Sequence, residues 1–217
     1  MWGAADMIPT REEMYQALEE RHGAALQAKF EAGRVAVCGL GGLGSNVAIA
    51  LARAGVGRLH LIDFDRVDLT NLNRQQYTVD QLGMCKTEAL AKTLGRIAPY
   101  CAIETDTVRV TEENLAALLA EDHIICEAFD RPEAKAMLVS GVLERFPEKA
   151  LVAASGMAGL GSANTIRTRR AFGRLYLCGD ETSDVSGALG LVSARVAVCA
   201  AHQANMILRL LAGETEP

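Results

Sequence analysis

Five short apolar runs punctuate the chain, each separated from the next by a longer amphipathic stretch. The runs are "RVAVCGL" from Arg34, "RLHLIDFD" from Arg58, "CAIETDTVRV" from Cys101, "HIICEAF" from His123 and "KALVAASG" from Lys149. Their length and their content of β-branched residues read as strands. Between them, "GGLGSNVAIALARAG" closes at Gly55 and "VDQLGMCKTEALAKTLGRIAP" stops at Pro99. "EENLAALLAE" follows a Thr111 cap, and "PEAKAMLVSGVLERF" has Pro132 at its first position. All four read as helices. Ahead of them, Thr10 and Glu13 form a T-x-x-E capping box, which opens a helical segment running to about residue 31. Past Gly161, "ANTIRTRRAFGRLYLCGDE" predicts two short antiparallel strands before a final apolar helix from Gly187 to Leu211. Strands alternating with helices in this way imply an α/β fold, a mostly parallel sheet with helices on both faces. No repeat or linker interrupts 1–217, so one domain is expected. It divides into an N-terminal helical segment (8–31), a core (34–160) and C-terminal strands and helix (161–212).

Composition narrows the class. Half of the 217 residues are apolar and the net charge is −5, with a pI near 5.4. An acidic chain with no basic tract is a poor nucleic-acid binder. The longest apolar stretch, from Ala188, is broken by Arg195, His202, Gln203 and Asn205, which a bilayer core tolerates poorly. It reads as a buried or interface helix. The N-terminus has early acids and no long apolar h-region, so no signal peptide is expected, and Met7 offers an alternative start. Six cysteines stand at 38, 85, 101, 126, 178 and 199 without a C-x-x-C pair. Reduced thiols, a cytoplasmic location and no zinc site are the expectation.

The first strand runs into "GLGGLGS", where Gly39, Gly41 and Gly44 take G-x-G-x-x-G spacing. Such a turn lets phosphate approach the backbone and the following helix N-terminus, making the fold Rossmann-like. Asp63, at the end of the second strand, can accept from ribose hydroxyls. An NAD-dependent dehydrogenase would share these parts, but "VDLTNLNRQQY" (67–77) would be out of place in it. That block and the residues after it hold Asn71, Arg74, Gln75 and Lys86, and a diphosphate already served by a helix N-terminus needs no such cations. An arginine fork and a lysine point charge suit a triphosphate.

"GLGGLGS", "DFDRVDLTNLNRQ", Lys86 and "CEAFD" together resemble the ThiF/MoeB/HesA adenylyltransferases, relatives of ubiquitin-activating enzymes, over residues 8 to 212. The compact frame is most similar to a short ThiF subgroup that acts in thiamine biosynthesis. The resemblance implies ATP and Mg2+ as cofactors, with Gly39, Gly41, Gly42, Gly44, Asp63, Asp65, Asn71, Arg74, Gln75 and Lys86 binding the nucleotide. Arg74, Lys86 and Asp130 are then catalytic, with Asp130 serving the magnesium ion. The implied partner is a ubiquitin-like sulfur carrier protein of ThiS type, in a homodimer where an N-terminal arginine acts in trans. Arg21 is the candidate and Arg11 the alternative. A molybdopterin carrier, a tRNA base or a non-enzymatic carrier scaffold are competing readings. The chain departs from the family pattern at Glu127, where aspartate is usual, and at Arg131 and Lys135, where Asn and Arg are. Cys178 reads either as a reactive loop cysteine or as a strand-end residue. "ASGMAGLGS" (154–162) reads either as a channel for a Gly-Gly tail or as a simple turn.

Overall fold

The computed structural model describes residues 8–184 and 190–217. Helices α1 (Arg11–His22) and α2 (Ala24–Glu31) precede β1 (Arg34–Cys38), α3 (Gly42–Arg53) and β2 (Arg58–Ile62). Then come α4 (Lys86–Ile97), β3 (Ala102–Asp106), α5 (Leu115–Leu118), β4 (Ile124–Glu127), α6 (Pro132–Arg145) and β5 (Ala150–Ala154). The chain closes with β6 (Arg167–Phe172), β7 (Leu175–Gly179) and α7 (Ser193–Ala212). The seven strands lie in the order β3-β2-β1-β4-β5-β7-β6. Every neighbouring pair is parallel except β6 with β7, so the sheet has the Rossmann-like pattern with one antiparallel edge.

Alternating residues of β1 show why the central strands read as continuous apolar runs. Val35 and Val37 enter the core beneath α3, α4 and α7, while Ala36 and Cys38 enter the second core beneath α5 and α6. A strand buried on both faces has no polar side to display. On the first face α7 packs against α3 through Val196, Cys199, Ala200 and Ile207, with Arg195 and Gln203 buried in the same helix. The expected helix start at Gly187 lies outside the described residues. Among those described, no helix is long and apolar enough to cross a membrane.

Three helix boundaries differ from the sequence reading, and β2 and β3 are shorter than the runs that predicted them. The N-terminal segment is two helices, because Gly23 sits at φ +82° and breaks the turn while also capping α1. The expected helix from 79 begins only at Lys86. Val79–Gln81 form one 3-10 turn, Gly83 takes φ +81°, and Cys85 is extended where Arg66 bridges to it. A helical hydrophobic period says nothing about these backbone partners. "EENLAALLAE" keeps only the four residues of α5, since Thr111 and Asn114 cap one another just before it.

Candidate nucleotide site

The site forms at the C-terminal ends of β1, β2 and β4, starting from a turn that only glycine permits. A Cβ on Gly44 would lie 1.8 Å from the Gly39 carbonyl oxygen, so strand and helix meet with no room for a methyl. Gly39 itself takes φ +92°, and a Cβ there would press on Ala128 O at 2.7 Å. This contact brings the segment after β4, which ends in Asp130, against the glycine turn. The Leu40 amide donates to Asp63 Oδ2 at 2.6 Å and the Asp65 amide to Oδ1 at 2.7 Å. Strand β2 therefore stops at Ile62, short of the expected run. Burial raises the Asp63 pKa, opposed by Lys86 and those two amides. Each Asp63 oxygen keeps a second lone pair for a hydroxyl donor.

Lys86 is the first residue of α4, and its ammonium is buried, 3.0 Å from Asp65 Oδ2. Asp65 is half exposed, so the pair has one face toward solvent. The 67–77 block packs on the glycine turn and the start of α3. Asn46 donates to Gly42 O and Arg74 O, Ser45 Oγ accepts from Gln76 N, and the Tyr77 hydroxyl donates to Leu40 O. These bonds set Arg74 and Gln75 above the turn: their side chains are what a Cβ on Gly42 or Gly41 would meet, at 3.3 and 3.7 Å. Arg74 Nη1 donates to Thr70 O and Asn73 Oδ1. Its Nε, and Gln75 Oε1, are buried without a partner in the chain. An unmet buried donor and acceptor each carry a desolvation cost of about 1–3 kcal/mol, which a ligand bearing phosphate and hydroxyl groups would relieve. The residues present fit a nucleotide.

Other expected residues are placed differently. Asn71 is half-buried and caps the 3-10 turn Leu69–Asn71, its Oδ1 accepting from Asp68 N. Asp130 and Arg131 are exposed at the start of α6. Glu127 is buried, and Lys135 Nζ reaches both its carboxylate oxygens at 2.9 Å. Two of the three family departures, Glu127 and Lys135, are therefore partners of one another, and Glu127 has no oxygen free of protein contacts for a metal. Burial raises the Glu127 pKa and Lys135 opposes it. Cys178 is buried within β7, and burial pushes its thiol up to about 11, which fits the strand-end reading. Arg21 is exposed on α1, which seats near Gly55, where a Cβ would meet Leu18 at 2.7 Å. Gly55 lies beyond the far end of α3, about 18 Å from the glycine turn at 1.5 Å per residue. Arg21 does not serve the cradle of its own chain.

Sequence reasoning missed Ser45, Asn46, Gln76 and Tyr77 as the ties between block and turn. The signal was a Ser-Asn pair inside an otherwise apolar helix. Arg195 and Gln203 served there only to exclude a membrane span. Gln203 Nε2 donates to Glu127 O and Val152 O across the sheet.

Known proteins are similar to this chain. The profile of the ThiF family matches residues 15–217. A molybdopterin-synthase adenylyltransferase of Haemophilus influenzae is 40% identical over 113 residues, 52% of this chain and 46% of that protein. A ubiquitin-like modifier-activating enzyme 5 of Drosophila ananassae is 49% identical over 77 residues, 36% of this chain and 19% of that protein. The chain thus spans less than half the length of either relative. Among solved structures, the E. coli tRNA N6-threonylcarbamoyladenosine dehydratase in complex with ATP superposes with a TM-score of 0.84 at 22% identity, covering 95% of this chain and 98% of that one. E. coli MccB with AMPCPP and MccA gives 0.72 at 22% identity, covering 97% and 68%. At such identities these structures speak for the fold. With the family profile covering nearly the whole sequence, this chain belongs to the ThiF family.

Proposed function

We propose that this protein is an ATP-dependent adenylyltransferase acting on the C-terminal Gly-Gly carboxylate of a ubiquitin-like sulfur carrier of ThiS type, in the thiazole branch of thiamine biosynthesis. One observation carries the reading: Arg74 and Gln75 lie against the glycine turn with buried polar atoms unmet, while Lys86 pairs with Asp65 and bears on Asp63. The carrier's carboxylate is ionised at neutral pH and is its own nucleophile. Its oxygen forms a bond to the α-phosphorus of ATP as the bond to the bridging oxygen of the β-phosphate breaks, releasing pyrophosphate. The chain supplies position and charge. Asp63 accepts from the ribose hydroxyls, the turn amides face the α-phosphate, and Arg74 and Lys86 neutralise the departing pyrophosphate. Asp130, exposed and two residues after Ala128, which packs on Gly39, would hold Mg2+, which supplies further charge neutralisation when bound.

Arg21, remote from its own cradle, would reach that of a second copy in a homodimer. Mixing Arg21→Ala with Asp130→Asn subunits checks this: each homodimer is weak, and mixing restores activity at sites that combine both intact residues. The similarity to a molybdopterin-synthase adenylyltransferase favours a second carrier, so the deciding assay is pyrophosphate release from ATP with each purified carrier in turn. Release with the ThiS-type carrier supports the reading, release only with the molybdopterin-synthase carrier reassigns the pathway, and release with neither overturns the activity.

A further inference from the structure

The sheet carries a cavity at its other end, which the adenylation reading does not use. Gly33, His123, Ala150 and Arg174 stand at, or one residue before, the starts of β1, β4, β5 and β7, and all four line it. These strands run parallel, so the cavity sits at their N-terminal ends, whereas the glycine turn follows the C-terminal end of β1. The five residues of β1 separate the two by roughly 16 Å, at about 3.3 Å per residue. The cavity holds about 580 Å³, which is room for a small organic molecule.

Its charge runs against that of the chain. The protein carries 27 acidic side chains against 22 lysines and arginines. Yet Lys29, Arg170, Arg174 and His123 line the cavity and, among the described residues, no aspartate or glutamate does. Nor are these cations used up. Lys29 Nζ donates to Ala212 O, and Arg174 Nη1 donates to Glu148 O at 2.8 Å. Most N–H groups of both side chains have no partner among the described residues. A backbone carbonyl holds a cation in place without cancelling its charge. Arg170 gives Nε to Gly173 O, and its ion-pair partner Glu216 is 3.6 Å away and 78% exposed, a contact that solvent screens. Like charges gathered in a concave surface repel one another and focus their field into it, and a bound anion relieves the repulsion.

Much of the remaining lining is apolar. Ile124, Tyr176, Leu210 and Leu211 contribute to it, and the Tyr176 hydroxyl is already donated to Thr215 O at 2.9 Å. We propose that this cavity is a second ligand site, separate from the nucleotide cradle, for a small organic anion. Its phosphate or carboxylate group pairs with the lining cations, and its ring or short alkyl body covers the apolar side chains. The planar fork of Arg174 suits either head group. The site shares no residue with the cradle, so the inference stands apart from the adenylation reading.

Phenyl phosphate, benzoate, inorganic phosphate and benzyl alcohol are the probes, each titrated by calorimetry at low salt. The background is the Arg74→Ala, Lys86→Ala double variant, whose cradle has lost its cations. Phenyl phosphate, benzoate or both should still bind to it, and whichever binds more tightly names the head group. Inorganic phosphate lacks the body and benzyl alcohol lacks the charge, so each should bind at least about tenfold more weakly. Adding Arg174→Ala or Lys29→Gln should weaken the aromatic anion about tenfold, the scale of one lost charge-assisted hydrogen bond. Both side chains are exposed and lie on different elements, so the melting curve should stay that of the background. The proposal is overturned if neither aromatic anion binds to the double variant. It is overturned equally if either added substitution leaves the Kd within about twofold. Inorganic phosphate or benzyl alcohol binding as tightly as the aromatic anions would also overturn it, since the site would then not read charge and body together.

Discussion

Two loops that follow strands of the parallel sheet are built on opposite principles. The 67–77 block is tied down at its backbone and side-chain edges by Ser45, Asn46 and Tyr77, yet leaves Arg74 Nε and Gln75 Oε1 buried and unmet. The 155–165 loop closes around Arg195 of α7, which spends every donor within the chain, on loop carbonyls, Thr165 and Asp180. Both follow the C-terminal end of a parallel strand, β2 for the first and β5 for the second. What differs is where hydrogen-bonding capacity is left over. A surface kept incomplete while its frame is rigid is built for a ligand; one that is complete in itself is built to hold a shape.

The buried Glu127–Lys135 pair belongs with the completed side, and breaking it should give the largest stability effect. Lys135→Ala leaves a carboxylate at 1% exposure without its cation, and should cost about 3–5 kcal/mol in denaturant unfolding. A loss under about 1 kcal/mol would place Lys135 with the open, ligand-facing cations instead. Arg74→Ala and Lys86→Ala should do the converse. Each should remove about 2–4 kcal/mol of transition-state stabilisation in pyrophosphate release while the protein stays folded. Near-normal turnover in both would show that the incompleteness of the block has no catalytic meaning.

Smaller effects sharpen the contrast. Asp130→Asn should shift the magnesium titration of turnover to higher concentration, since a neutral amide is a poor ligand for a hard cation. An unchanged curve would remove Asp130 from the metal role. On the closed side, burial works against the Asp180 carboxylate, but the Ser183 and Thr182 amides, the Ser183 hydroxyl and Arg195 prevail and hold it at about 2, against an ordinary value of 3.8. A carboxyl depressed in the folded state contributes stability that is present above its unfolded value and lost as pH falls through the folded one. The stability difference between wild type and Asp180→Asn should therefore hold above pH 3.8 and shrink toward pH 2. A difference that does not change with pH would mean that the carboxylate charge is not what closes the network.

The sequence by itself determined the alternation of strands and helices, the parallel core and its antiparallel edge, the Thr10–Glu13 cap and the glycine turn. Each of these is a local matter of hydrophobic period, of capping groups or of φ angles, written within a dozen residues. It also carried the family, because a polar block after a Rossmann turn is a local pattern. Tertiary structure alone decided that α4 starts at Lys86, since Gly83 and the Arg66–Cys85 bridge override a helical period that begins at Val79. It alone paired Glu127 with Lys135 and made one closed unit of Arg195, Asp180 and the loop after β5. A side chain's remaining hydrogen-bonding capacity is set by neighbours distant in sequence, and Arg74 and Arg195 are both arginines until the fold shows which of them still has a donor to offer.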